Sequence, residues 1–240
     1  MSELFKTIRE NLSFVGVCLL VFAALLVIAL LFERFVMRGS RRKLGAAKTV
    51  SFVAMFSAVA AVLQLFELPL FFAPSFYKLD LSELPVLICS FYLGPVSGVV
   101  CELVKNMLKL LLKGTTTMFV GDFANFAVGC SFVLPASMIY HCIKTKKGAI
   151  AAMAVGTIAL TVFGSLFNAW YLLPKFAEMY GMPLEAIVAM GTQVNGAITS
   201  VWTLVAFAVV PFNLLKGAVV SVLTFLLYKR IERLILSRSA

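Results

Sequence analysis

Histidine, paired cysteines and charge are what this sequence is short of. Its 240 residues hold one histidine and five cysteines, and only 13% are charged, about half the share of a soluble domain. His141 alone makes a poor general base, and no Ser/His/Asp set accompanies it. Cys18, Cys89, Cys101, Cys130 and Cys142 lie in or beside apolar runs without Cys-x-x-Cys spacing, which argues against a disulfide framework or a zinc site. No Gly-x-x-x-x-Gly-Lys-Ser/Thr loop occurs, so the chain has no ATPase motif of that kind. An enzyme is a poor reading of this inventory.

What is present is apolar. Apolar residues make up 62% of the chain and fall in seven runs, at 13–36, 47–67, 81–93, 95–112, 118–142, 149–173 and 197–228. Runs of about 20 residues cross a bilayer core of roughly 30 Å. The expected fold is all-α, a polytopic transmembrane helical bundle.

The net charge of +10 is concentrated rather than spread. Arg38, Arg41, Arg42, Lys43 and Lys48 form one cluster, Lys144, Lys146 and Lys147 a second, and Lys229, Arg230, Arg233 and Arg238 a third. The alternate connections hold only Lys6, Arg9, Lys78, Lys113 and Lys175. The positive-inside rule puts the three clusters and the C-terminus in the cytoplasm and the N-terminus outside. The basic surface is thus a topology signal and a contact for membrane lipid, not a nucleic-acid site. In the first run the basic cluster follows the apolar core, unlike a cleaved signal peptide, so an N-out anchor is expected.

Polar residues inside the runs share a depth. Asn213 and Lys216 lie three apart on one helix face, and a mid-membrane lysine costs roughly 2.5–3.5 kcal/mol. At a rise of 1.5 Å per residue, Lys216 lies about 20 Å from Lys229 and so about 10 Å below the outer surface. Asn168 lies about 9 Å inside Pro174, Asn125 about 12 Å inside Thr117, and Lys105 and Asn106 about 12–14 Å inside Gly114. Asp122 stands one turn above Asn125. Convergence of polar groups from several walls is what a ligand pocket needs. The bland readings are that Asn106 and Asn125 only bond neighbouring helices, that Glu102 and Lys105 neutralise each other, and that Lys109 snorkels to the interface.

Residues 67–80 form an apolar outer connection with two prolines and four aromatics, expected to fold over the pocket as a lid through Phe76, Tyr77, Lys78, Leu79 and Asp80. Asp80 is expected to N-cap the next helix, with Glu83 as its capping-box partner. Gly94-Pro95 reads as a tight turn. Ala54 and Ala58, four apart, allow close approach of another helix and would suit docking against a separate subunit.

Together these stretches resemble the riboflavin-specific substrate-binding (S) component of energy-coupling factor (ECF) vitamin transporters. The resemblance rests on Lys78-Leu-Asp-Leu-Ser-Glu-Leu-Pro85, Glu102-Leu-Val-Lys-Asn106, Lys113-Gly-Thr-Thr-Thr117, Val120-Gly-Asp-Phe-Ala-Asn-Phe126, Asn168-Ala-Trp-Tyr-Leu-Leu-Pro174 and Pro211-Phe-Asn-Leu-Leu-Lys-Gly217. It implies a six-helix substrate-binding core within residues 41–240, with residues 1–40 as an extra N-terminal membrane span. It implies flavin contacts at Asn168, Asn213 and Lys216, a lid at 67–80, and Ala54 and Ala58 against the coupling subunit. The implied partners are that membrane coupling subunit and two ABC ATPases, with riboflavin as cargo and no cofactor. A stand-alone secondary transporter would instead need an intramembrane acid, for which Glu102 and Asp122 are the candidates.

Overall fold

The computed structural model describes residues 12–37, 45–115, 117 and 119–237, with the side chains of residues 12, 13, 229 and 231–237 excepted. The calls on Lys6, Arg9, Arg38, Arg41, Arg42, Lys43, Arg238, Thr116, the side chains of Lys229 and Arg233, and the domain boundary at residue 40 lie outside the described residues. The chain is a helical bundle. Its helices are α1 (Leu12–Phe35), α2 (Ala46–Leu65), α3 (Glu83–Leu93), α4 (Pro95–Lys113), α5 (Val120–Cys142), α6 (Lys146–Phe167), α7 (Leu173–Tyr180), α8 (Leu184–Val194), α9 (Val201–Leu204) and α10 (Val210–Ser237). Two π-helical turns, Asn168–Leu172 and Val205–Val209, join α6 to α7 and α9 to α10. The five long apolar segments are Phe14–Phe35, Ala46–Leu65, Val120–Cys142, Lys146–Tyr180 and Val201–Tyr228.

Three expectations about the spans change. The run at 81–93 becomes an 11-residue helix, about 16 Å long and so roughly half a membrane crossing. It is buried on nearly every side and forms the centre of the main core with Phe132, Leu160 and Tyr140. The sixth run does not stop at Pro174 but continues to Tyr180. Helix α8, outside all seven runs, packs through Ile187 and Gly191 against Ile198 and Leu204.

The two π turns have a common cause. Pro174 and Pro211 each stand two residues beyond one. A proline inside a helix lacks the N–H and its ring collides with the carbonyl four residues back. Widening the preceding turn relieves both problems. The closing bonds run from Leu173 N to Asn168 O and from Val210 N to Val205 O, five residues apart. Such turns re-aim the side chains beside them, here Asn168 and the start of α10.

Helix α1 packs on α4 and α5. At one end Phe14 meets Phe123 edge-on at 5.6 Å. At the other, buried Glu33 accepts a hydrogen bond from Val96 N at 2.9 Å, satisfying a free amide of the first turn of α4. Gly94, at φ +120°, makes this possible: a Cβ there would lie 2.6 Å from Glu33 Oε1.

Candidate functional site

A cavity of about 610 Å³ opens between the lid, the α4–α5 end of the bundle, the first π turn with α7, and α10. Its volume is in the range of small-molecule sites. Each wall follows from local structure.

The lid is a short antiparallel hairpin, with Leu68 opposite Leu79 and Pro69 opposite Lys78. It encloses Phe72, Phe76 and Tyr77, which pack on Leu173, Phe176 and Val205. Apolar burial against the wide-turn segments folds this loop inward. The Tyr77 hydroxyl donates to Asn168 Oδ1 at 2.8 Å, tying the lid to the opposite wall. Glu67, itself a lining residue, accepts from both Lys78 at 3.1 Å and Lys113 at 2.8 Å, so the hairpin is clasped to the end of α4. Burial works against ionisation of Glu67, but Lys113 and Lys78 outweigh it and hold its carboxyl below the ordinary glutamate value.

At the root of the lid lies a chain of alternating charge. Lys216 donates to Asp80 and to Glu83, both at 3.0 Å. Lys105 lies 3.5 Å from Glu83 and is paired with Glu102. Three carboxylates thus share two ammonium groups, all buried. A charge in this setting persists only when paired and hydrogen-bonded. Burial opposes ionisation of Asp80, but Lys216 and then Lys105 more than compensate and hold its carboxyl low. Gly129 leaves room for the chain's end, since a Cβ there would collide with Glu102 Oε1.

Several sequence expectations are corrected. Asp80 and Glu83 do not form a capping box. Ser82 is the N-cap of α3 without a side-chain cap bond, and Asp80 Oδ1 accepts from Ser82 N at 2.9 Å. Glu83 goes to the lysines because α3 is buried all round. Lys109 does not snorkel: it is buried and donates to Asp122 Oδ1 at 2.5 Å. Lys105 and Asn106 do not line the cavity. Lys105 ends in the ionic chain, while Asn106 donates to Glu102 O at 2.8 Å and accepts from Gln64 Nε2 at 3.2 Å. Leu79 also stays out of the lining.

Asn168, Asn213, Lys216, Asn125, Asp122, Phe76, Tyr77, Lys78 and Asp80 all line the one cavity. The sequence reading did not assign Glu83, Lys109, Phe176, Tyr180, Met182, Met190 and Phe212 to it. Lys109 could have been found as the residue one turn beyond Lys105 on the same face. Met182 and Met190 carried no local signal, because α8 and its approach reach the cavity only through tertiary packing.

The polar atoms are not equally engaged. Asn168 is used twice, donating to Gly164 O at 2.7 Å and accepting from Tyr77. Asn213 is 3% exposed, and its Nδ2 has no hydrogen-bond partner. A buried amide donor left unpaired costs about 1–3 kcal/mol. Gly164 grants it space: a Cβ there would lie 2.7 Å from Asn213 Nδ2.

Away from the cavity, Ala54 and Ala58 lie exposed on α2, while Ser57, Ala60 and Ala61 are buried. Ser57 Oγ donates to Cys101 O of α4 at 3.3 Å. The exposed alanines stand on the outside of the bundle beside exposed Met55, Val59 and Val62.

Residues 48–228 match the family described as ECF transporter, substrate-specific component. The chain is 34% identical over 193 residues to the riboflavin transporter RibU of Staphylococcus aureus (strain TCH60), covering 80% of this chain and 95% of that protein. It is 30% identical over 186 residues to the riboflavin transporter FmnP of Bacillus subtilis (strain 168), covering 77% and 92%. Its fold is similar to a solved structure described under "Structure and mechanism of the S component of a bacterial ECF transporter", with a TM-score of 0.64 and 34% identity over 80% of this chain and 99% of that one.

Proposed function

Because this chain belongs to the substrate-specific (S) components of ECF transporters, we propose that it captures riboflavin from outside the cell in the cavity beneath the lid. The observation that carries this is the buried, unpartnered amide of Asn213 in the cavity wall. An isoalloxazine ring has apolar faces and a polar edge. Phe76, Phe176 and Phe212 supply apolar surface for the faces. Asn213 Nδ2 supplies a donor for a ring acceptor, with Asn168 and Lys216 beside it. Flavin is cargo here and not a cofactor.

The cavity lies in the outer half of the membrane, with the N-terminus outside and the C-terminus in the cytoplasm of a multi-pass plasma-membrane protein. Delivery is inward through a membrane coupling subunit, docked on the Ala54–Ala58 strip, and two ABC ATPases. A transporter working alone draws no support from Glu102 and Asp122, since each carboxylate is already paired with a lysine. Residues 1–40 form an added anchor to a six-helix core in 41–240.

The test is the purified full chain, titrated with riboflavin and followed by quenching of flavin fluorescence. We expect saturable quenching with one flavin per chain. No quenching, together with no flavin band in the protein as isolated, would overturn the reading.

A further inference from the structure

We propose that the ionic chain at the root of the lid is a proton-binding site, with the proton on Glu102 Oε2, so that Glu102 is a neutral carboxylic acid that donates to Gln64. Two independent observations point there. The first is the balance of charge. Asp80, Glu83 and Glu102 face only Lys105 and Lys216, and all five are buried. Lys109, one turn beyond Lys105, is matched by Asp122. One carboxylate is therefore left over, and an uncompensated charge in a dry interior is neutralised rather than kept. Cys130 of α5 is the other titratable group against Glu102, and as a thiol it adds no positive charge. Glu33 of α1 lies at the far end of α4, on Val96 N.

The second observation is which oxygens are in use. Asp80 Oδ1 accepts from Ser82 N and Oδ2 from Lys216. Glu83 Oε1 meets both lysines, and its Oε2 accepts from Ser82 Oγ at 3.4 Å. Glu102 Oε1 accepts from Lys105 and from Asn106 Nδ2, but Oε2 has no partner. Of these three carboxyl groups, only Glu102 has an oxygen free to carry a proton. Buried Gln64 on α2 has a matching vacancy, because its Oε1 also has no partner. Asn106 bonds both side chains and fixes their sense. Its Nδ2 donates to Glu102 O, so its Oδ1 must accept from Gln64 Nε2, which leaves Gln64 Oε1 as an unused acceptor. Two acceptors cannot serve each other. One proton turns Glu102 Oε2 into a donor, gives Gln64 Oε1 a partner and removes the surplus charge. It leaves Lys105 for Glu83 and Lys216 for Asp80. Glu102 does not line the cavity, so the proton is held inside the bundle rather than passed to cargo.

The experiment is infrared spectroscopy of the purified full chain at neutral pH, in a detergent without ester groups. A neutral carboxylic acid has a C=O stretch well separated from the bands of a carboxylate, and the band moves on exchange into heavy water. We expect the native chain to show this band and Glu102→Gln to lose it. We expect Gln64→Leu to keep the band but shift it to higher frequency, because the acid loses its hydrogen bond. A native chain without the band would overturn the proposal, since Glu102 would then be ionised. A band that persists in Glu102→Gln would overturn it as well, because the proton would reside elsewhere. If Glu102→Gln does not fold, carbon-13 labelling of the glutamate carboxyls replaces it: a band that fails to shift on labelling is not from glutamate and refutes the site. Gln64→Leu then completes the assignment, and an unmoved band in that variant would rule out the Glu102–Gln64 pair.

Discussion

Lys216 and Asp80, 136 residues apart in the chain, meet at 3.0 Å beneath the lid. The bond links the last long helix to the connection that closes the cavity. It also divides the roles of two residues that look alike in the sequence. Asn213 has an unused donor, whereas Lys216 neutralises Asp80 and Glu83.

Substitution should separate these roles. Asn213→Ala is expected to weaken riboflavin by up to about 10-fold, the loss of one neutral hydrogen bond, with no loss of thermal stability. Lys216→Met should leave buried Asp80 without its ammonium partner and Glu83 with only Lys105, and destabilise the fold by about 3–5 kcal/mol. Thermal unfolding in detergent, measured beside flavin titration, distinguishes them. A stable Lys216→Met protein would show that the ionic chain is not structural.

Gly164→Ala tests the space behind Asn213. The new methyl would sit 2.7 Å from Asn213 Nδ2 and 3.2 Å from Val128 Cγ1, so the amide must move. Overpacking typically costs about 1–3 kcal/mol. We expect weaker riboflavin binding in the titration, and a smaller further loss when Asn213→Ala is added. Full additivity of the two changes would argue against a shared cause.

The clasp at Glu67 gives the lid a pH dependence. Its carboxyl is held below the ordinary value of 4.5, so folding keeps it ionised. Its contribution is therefore present above pH 4.5 and is lost as pH falls through the lower, folded value. The pair is partly exposed, so the effect is small: flavin dissociation should speed up by up to about 5-fold. Stopped-flow release from the native protein should show this rise at acid pH. Glu67→Gln should release at the faster rate at neutral pH. An identical pH profile in the variant would rule out Glu67 as the source.

Truncation tests the added helix. No described residue of α1 lines the cavity, so deleting residues 1–40 should leave riboflavin affinity intact. It does remove the Glu33 carboxylate from Val96 N, the kind of cap worth about 0.5–2 kcal/mol. A lower unfolding temperature with unchanged affinity is expected, and Glu33→Ala should reproduce part of the shift. A folded truncation without flavin affinity would make α1 part of the site.

The exposed strip on α2 is the proposed face for the coupling subunit. Ala54→Trp or Ala58→Trp should abolish riboflavin uptake in cells carrying the whole transporter. Binding by the isolated chain should stay within about 2-fold of native, because the strip is remote from the cavity. Normal uptake in both variants would remove the docking role.

Much of this was legible in the sequence, for reasons that can be named. Apolar runs of about 20 residues need a membrane to cover them, so the bundle followed from composition. A lysine and asparagine three apart in such a run must find partners, so the pocket's position along α10 followed from periodicity. Family motifs then supplied the substrate class. What the sequence could not determine was which polar groups satisfy one another. Lys216 and Asp80 are separated by 136 positions, and no local rule pairs them. Helical spacing put Lys105 and Asn106 at pocket depth, yet depth is not direction, and both are used up inside the bundle. Pro174 and Pro211 are visible in the sequence, but only the packed helices show that the turns before them widen and lie against each other. The sequence by itself determined a membrane bundle with polar residues at one level. The tertiary structure decided which of those residues are spent on each other and which keep an unpaired polar atom, because hydrogen-bond satisfaction depends on neighbours that only folding brings together.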